Sequence, residues 1–209
     1  MKLKLLSILT AIMLLLSASA LATSLPGLDA LTALAKSSSP TPLSLPAEFS
    51  ITYRTQAGEL SLSRSADGNL TYVNGAETAL FLKSSDDAYL AATPTESGYT
   101  LNELTPITFE QVKERIAPVW QLIAPVELGG AAAVTASFDG NTEVLGRSAN
   151  RFRLAVHTGT EAGYSVTVNS AVWITLDHEN GICLMKETAA DENHANATVE
   201  FECVSLEIR

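Results

Sequence analysis

Any chemistry in this chain would fall to two cysteines, Cys183 and Cys203, to three histidines, His157, His178 and His194, or to its carboxylates, with 23 Asp and Glu against 13 Lys and Arg. Nucleophilic hydrolysis needs a serine or cysteine beside a base and an oxyanion site, and the sequence holds neither a Gly-x-Ser-x-Gly elbow nor a Ser-x-x-Lys motif. A zinc site needs several ligands in compatible positions, and there is no His-Glu-x-x-His spacing. His157 falls at a strand end, and His178 and His194 fall in acidic turns, which makes them solvated turn residues. Oxygen-rich stretches at Asp139-Gly140-Asn141-Thr142-Glu143 and Asp191-Glu192-Asn193 do not follow the order of an EF-hand loop; Asp or Asn followed by Gly is what a tight hairpin asks for. The sequence therefore assigns no catalytic residue, no metal ligand and no cofactor, and a carboxylate pair for glycoside hydrolysis is a matter of spatial geometry that spacing does not settle.

The cysteines carry the one sharp pairing expectation. If the last two strands form a hairpin centred on Asn193, then Cys183 opposes Cys203, Met185 opposes Phe201, Lys186 opposes Glu200, Glu187 opposes Val199 and Thr188 opposes Thr198. Directly opposed strand residues lie within disulfide reach, so a cross-strand Cys183–Cys203 bridge is expected in an oxidising compartment, with two separate buried thiols as the other arrangement. Redox catalysis is not indicated, because no Cys-x-x-Cys motif exists.

That compartment is read from the N-terminus. Lys2 and Lys4 precede an apolar run from Leu5 to Leu16, followed by the small residues Ser17 to Ala20 and then Leu21-Ala22. This is the pattern of a secretory signal peptide over residues 1–22, cleaved after Ala22, with no cysteine placed for lipidation and an apolar run too short to be retained as a membrane anchor. The expected product is exported, periplasmic or extracellular, and soluble. The formal net charge of −10 becomes more negative once the two lysines are removed, and such a surface repels nucleic-acid backbones and anionic head groups. Nucleic acid is excluded as a partner on that ground.

The elements that would position any site follow from hydrophobic period. Residues 23–47 hold a short leucine-spaced helix, Leu25 to Leu34, and a Ser/Pro linker. From Glu48 the period is two, with turn signals at Gly58, Asp67-Gly68, Asn74-Gly75, Ser84-Ser85-Asp86 and Glu96-Ser97-Gly98, which predicts about six short antiparallel strands up to Leu104. A helical insertion is expected at about 108–124: Thr108 and Gln111 form a capping box, and Phe109, Val112, Ile116, Val119, Trp120 and Ile123 make one apolar stripe. Pro118 should kink or restart this helix near Ala117. Strand period then returns over Thr142–Gly146 and Arg151–His157. The even positions Tyr164 to Leu176 read as one long strand or as two with a break near Ser170, and two terminal strands flank an Asp/Asn-rich turn. The expected fold is mainly β: residues 48–209 form a single antiparallel domain, a large curved sheet or incomplete barrel, with one or two helices packed on its concave face. The helix either covers an open ligand cavity, lined by Ile116, Val119, Trp120 and Ile123, or closes a filled core, because both use the same residues.

An apolar strand, an acidic glycine turn and a basic strand follow one another in Val172-Trp173-Ile174-Thr175-Leu176-Asp177-His178-Glu179-Asn180-Gly181-Ile182-Cys183-Leu184-Met185-Lys186, preceded by the strands of Leu145-Gly146-Arg147 and Phe152-Arg153-Leu154. In these stretches and in its order of elements the chain resembles the bacterial lipoprotein-carrier (LolA-like) superfamily of envelope proteins. The resemblance implies an incomplete barrel lidded by helices that holds an acyl chain or another apolar ligand without catalysing a reaction. The expected function is thus an exported, non-catalytic binder of an apolar or lipid-like ligand. The alternative is an envelope protein-interaction or sensory module with no internal ligand, in which an exposed apolar patch replaces the cavity.

Overall fold

The computed structural model describes residues 40–125, 133–159, 165–167, 171–191 and 193–209; the expected signal peptide and the leucine-spaced helix lie outside them. Thirteen described strands form one antiparallel sheet. The first six are β1 (Phe49–Thr55), β2 (Gly58–Arg64), β3 (Leu70–Asn74), β4 (Glu77–Ser85), β5 (Ala88–Thr95) and β6 (Gly98–Leu101), each paired to the next as a meander. Their hairpins fall where the turn residues put them. Thr55 faces Gly58, Asn74 faces Glu77 across Gly75, and Thr95 faces Gly98, so these loops hold two residues each. A two-residue strand, β7 (Ile107–Thr108), pairs with β5 and leads into α1 (Phe109–Arg115) and α2 (Ala117–Ile123).

The helix pair forms as its sequence asks. The Thr108 hydroxyl accepts from the Gln111 N–H at 3.3 Å while the Gln111 side chain accepts from the Thr108 N–H at 2.9 Å, which satisfies two donors that helix geometry leaves orphaned. Pro118 stands in the first turn of α2, where a missing N–H costs nothing, and Ile116 separates the two helices as C-cap of one and N-cap of the other.

The second meander runs through β8 (Ala133–Val144), β9 (Arg147–Gly159), β10 (Ser165–Thr167), β11 (Ala171–Asp177), β12 (Cys183–Ala189) and β13 (Thr198–Ile208). β10 and β11 both pair with β9, so the even-numbered apolar run is two strands along one neighbour. β13 then pairs with β1, joining the meanders in the middle of the sheet, and the order across it is β8-β9-β11-β12-β13-β1-β2-β3-β4-β5-β6, with the sheet left open. The chain must therefore travel from β6 at one edge to β8 at the other, and α1 and α2 lie on that path. α2 touches both β2 and β12, and α1 touches β5. β2 and β12 are separated by β13 and β1, so α2 lies across the middle of the open, curved sheet. One core results, from Phe49, Ile51 and Leu62 through Val112, Ile116 and Val119 to Phe152, Ile174 and Leu184.

Two expectations are corrected. Asp139-Gly140-Asn141 is not a hairpin: it lies inside β8, where the pairing shifts between Phe138 and Gly140, with Gly140 at φ +135° and Asp139 held by Arg151 at 2.8 Å. The Cys183–Cys203 disulfide is absent, and both thiols are free and buried. Glu187 faces Val199 and Thr188 faces Thr198 as expected, but a bulge at Glu200 moves Lys186 opposite Phe201 and Met185 opposite Glu202. That one-residue shift takes the cysteines out of opposition. Cys203 instead faces Tyr53 of β1, and Cys183 faces Leu176 of β11. The Lys186–Glu200 attraction survives as an ion pair at 2.9 Å.

Candidate functional site

The apolar stripe of the helices divides into a sealed part and an open part. Ile116, Val119 and Ile123 are 0% exposed and join the core, so over most of its length the helix closes a filled interior. Phe109 and Trp120, on the same stripe, are only partly buried. They pack edge to face at 5.7 Å between ring centroids, and Phe109 leans on Tyr89 of β5 at 5.9 Å. Lys113 lies over this cluster, its ammonium 4.8 Å from the Trp120 ring and 5.3 Å from the Phe109 ring, and it is paired with Glu110 at 2.9 Å. Of the four expected lining residues, Trp120 lines one hollow and Ile123, though fully buried, borders another, while Ile116 and Val119 line neither.

The open space is a groove roofed by the segment Pro40–Pro46, which has no regular secondary structure. On one side of Leu43 lies a hollow of about 290 Å³, lined by Leu45, Arg64, Tyr89, Phe109, Lys113 and Trp120 and rimmed by Asp86 and Asp87. On the other side is a largely apolar hollow of about 230 Å³ over Ile123, Ala124, Pro125, Leu176 and Gly181. Leu43 lines both, and with Leu45 it packs against the core.

The roof is held by the turn between β11 and β12. There the Ser44 N–H donates to the Asn180 carbonyl at 2.8 Å and the Thr41 hydroxyl to the His178 carbonyl at 3.2 Å. Gly181 makes this approach possible. Its φ of +66° favours glycine, and a Cβ there would overlap the Thr41 carbonyl oxygen and stand 2.7 Å from that of Pro42. Asp177 shapes the turn. Its carboxylate accepts from the backbone N–H groups of Glu179 at 2.8 Å and Asn180 at 3.0 Å and is paired with the Arg147 guanidinium, which also reaches Glu179 at 3.0 Å. Burial alone would raise the Asp177 pKa; the Arg147 and backbone donors outweigh it, and the carboxyl is held below its ordinary range. The turn is legible in the sequence, but this carboxylate's role in it is not, since Asp in a glycine turn reads as exposed.

Two larger hollows are less apolar than the one over Ile123 and Leu176. One of about 530 Å³ lies over Tyr72, Phe81 and Ala91 but is interrupted by Thr78, Thr93, Asn102 and Arg115, which is paired with Glu103 at 2.8 Å. The other, of about 400 Å³, is lined mostly by short polar side chains, by Arg209 with its partners Glu48 and Glu207, and by Arg64, which also lines the aromatic hollow.

The cysteines and histidines do not converge on a site. Burial pushes the Cys183 thiol up to about 12 and the Cys203 thiol up to about 11, so neither is a thiolate near neutral pH. His194 pairs with Glu187 at 2.9 Å and packs on Trp173 at 5.0 Å, in a small cluster with Ala171 and Ala189 separate from the main core. His178 is exposed in its turn, and only the backbone of His157 is described, in β9. Among the described residues no group of three His, Cys, Asp or Glu could hold a metal, and no helix is long and apolar enough to cross a membrane. No known family model matches this sequence, and no characterised protein matches it.

Proposed function

We propose that this protein is an exported, non-catalytic binding protein for an apolar or lipid-like ligand, LolA-like in plan, and that the ligand lies in the groove beneath Pro40–Pro46. The observation that carries the reading is the apolar hollow over Ile123, Ala124 and Leu176, which shares Leu43 as a wall with the hollow at the Trp120, Phe109 and Tyr89 cluster. Concave apolar surface with a few polar groups at one end is the usual form of a small-ligand site. Displacing water from it gains roughly 25 cal/mol per Å² of apolar surface covered. The export part of the reading rests on the tripartite pattern of residues 1–22.

The sealed packing of Ile116, Val119 and Ile123 favours a second reading, an envelope interaction module with no internal ligand. Trp120 separates the two, because it lines the groove while Trp173 is 1% exposed in the other cluster. Titration of detergent-free protein with decanol and hexadecanoate should change tryptophan emission saturably, and the Trp120→Phe variant should lose the change. Absence of saturable binding by calorimetry to either compound, with the protein folded, would leave the interaction module as the better reading.

A further inference from the structure

The aromatic end of the groove holds a cation that the fold itself leaves unused. Arg54, Arg115, Arg147, Arg151 and Arg209 each face a carboxylate. Arg64, the last residue of β2, has no such partner among the described residues, in a chain with a large excess of Asp and Glu. Its Nε is sealed from solvent and has no hydrogen-bond acceptor. A guanidinium N–H without an acceptor is costly to bury. Arg64 as a whole is half-buried and lines both this hollow and the polar one beside Glu48 and Glu207, whose carboxylates pair with Arg209, so an acceptor entering the aromatic hollow can meet the rest of its fork.

The neighbouring charges say what that acceptor is. Lys113 does not compete for it, since its ammonium is engaged by Glu110 and the aromatic faces. Asp86 and Asp87 are exposed at the rim, Asp86 within 3.7 Å of Lys83, and a doubly charged phosphate would meet both. A single carboxylate matches the planar guanidinium fork and brings less charge past that rim.

Resting on the binding reading above, we infer that Arg64 is a head-group anchor and that the ligand is a monocarboxylate amphiphile. Its carboxylate accepts from Arg64 and its hydrocarbon lies along Trp120, Leu43 and the apolar hollow.

Decanoate, decanol and decyltrimethylammonium share one hydrocarbon chain and differ in the head, so calorimetric titration with the three, followed also by Trp120 emission, isolates the head-group term. Decanoate is expected to bind roughly tenfold or more tighter than decanol. Arg64→Gln should remove that preference, so that decanoate and decanol bind alike, while Arg64→Lys should keep part of it. Equal affinity for decanoate and decanol in the unaltered protein, as expected if only a water satisfies Nε, would overturn the anchor and leave the apolar site standing. So would tighter binding of the ammonium compound, which would make the aromatic cluster and Asp86 and Asp87 a cation cage. Binding of none of the three would remove the apolar site itself.

Discussion

Asp177 is 1% exposed, and the groups around it are arranged for a charge: two backbone N–H donors, the Asn180 amide at 3.3 Å and the Arg147 guanidinium. A carboxyl whose pKa is depressed by folding contributes stability above the ordinary carboxylate range and loses it as pH falls through the folded value. Asp177→Asn should therefore cost about 2 kcal/mol at neutral pH, because it leaves Arg147 only the exposed Glu179 as a charged partner and weakens three hydrogen bonds. Urea unfolding from neutral pH into the acid range should show the gap between variant and parent closing on acidification; a gap that stays constant would show that the charge is not what holds the turn. The cysteines run in the opposite sense. Their raised pKa values favour the folded state while the thiols stay protonated, and this contribution is lost as pH rises toward about 11 and 12. Spacing alone had placed these two residues opposite each other, and the inserted Glu200 separated them. A bulge depends on how two strands twist against their other neighbours, here β11 and β1, which no hairpin register contains.

At the scale of elements, local sequence and final structure agree most closely in the helix pair. Thr108, Gln111 and Pro118 act within one turn of themselves, so their effects are set before any tertiary contact forms. Thr108→Ala removes the acceptor for the Gln111 N–H and should cost about 1 kcal/mol, or roughly 2–4 °C in melting temperature, with Thr108→Ser restoring most of it. A thermal melt with no change would mean that packing of Val112 and Ile116 holds α1 without its cap. The hairpins of the first meander were legible for the same reason, since each rests on a residue such as Gly58, Gly75 or Gly98 that takes positive φ at no steric cost. The segment Pro40–Pro46 was read as linker from its Ser and Pro content. Its placement over the groove depends on carbonyls of His178 and Asn180 and on the missing Cβ of Gly181, all more than 130 residues away in sequence.

For the whole molecule the decisive contact is the pairing of β13 with β1, because it alone joins the two meanders into one sheet. Deleting residues 198–209 would remove a central strand that also pairs with β12 and would strip Phe201 and Cys203 from the core. The truncated chain is expected to lose its near-ultraviolet circular dichroism and its cooperative denaturant transition; retention of both at an unchanged midpoint would show that the meanders fold independently. Local pattern sets the class of fold, the six-strand opening meander, the capped and broken helix and the stripe that faces inward, because periods of 2 and 3.6, turn glycines and caps act over a few residues, and a curved sheet with helices on its concave face follows from those elements. Only the assembled sheet puts β6 and β8 at opposite edges, so that the connection between them must pass over that face. It also seals Ile116 and Val119 while Trp120 lines a hollow, and it sets Arg64 on the same hollow with its Nε unsatisfied. Those outcomes depend on how far a twisted sheet of many strands curls around two short helices, a quantity summed over the whole sheet and carried by no single stretch of sequence.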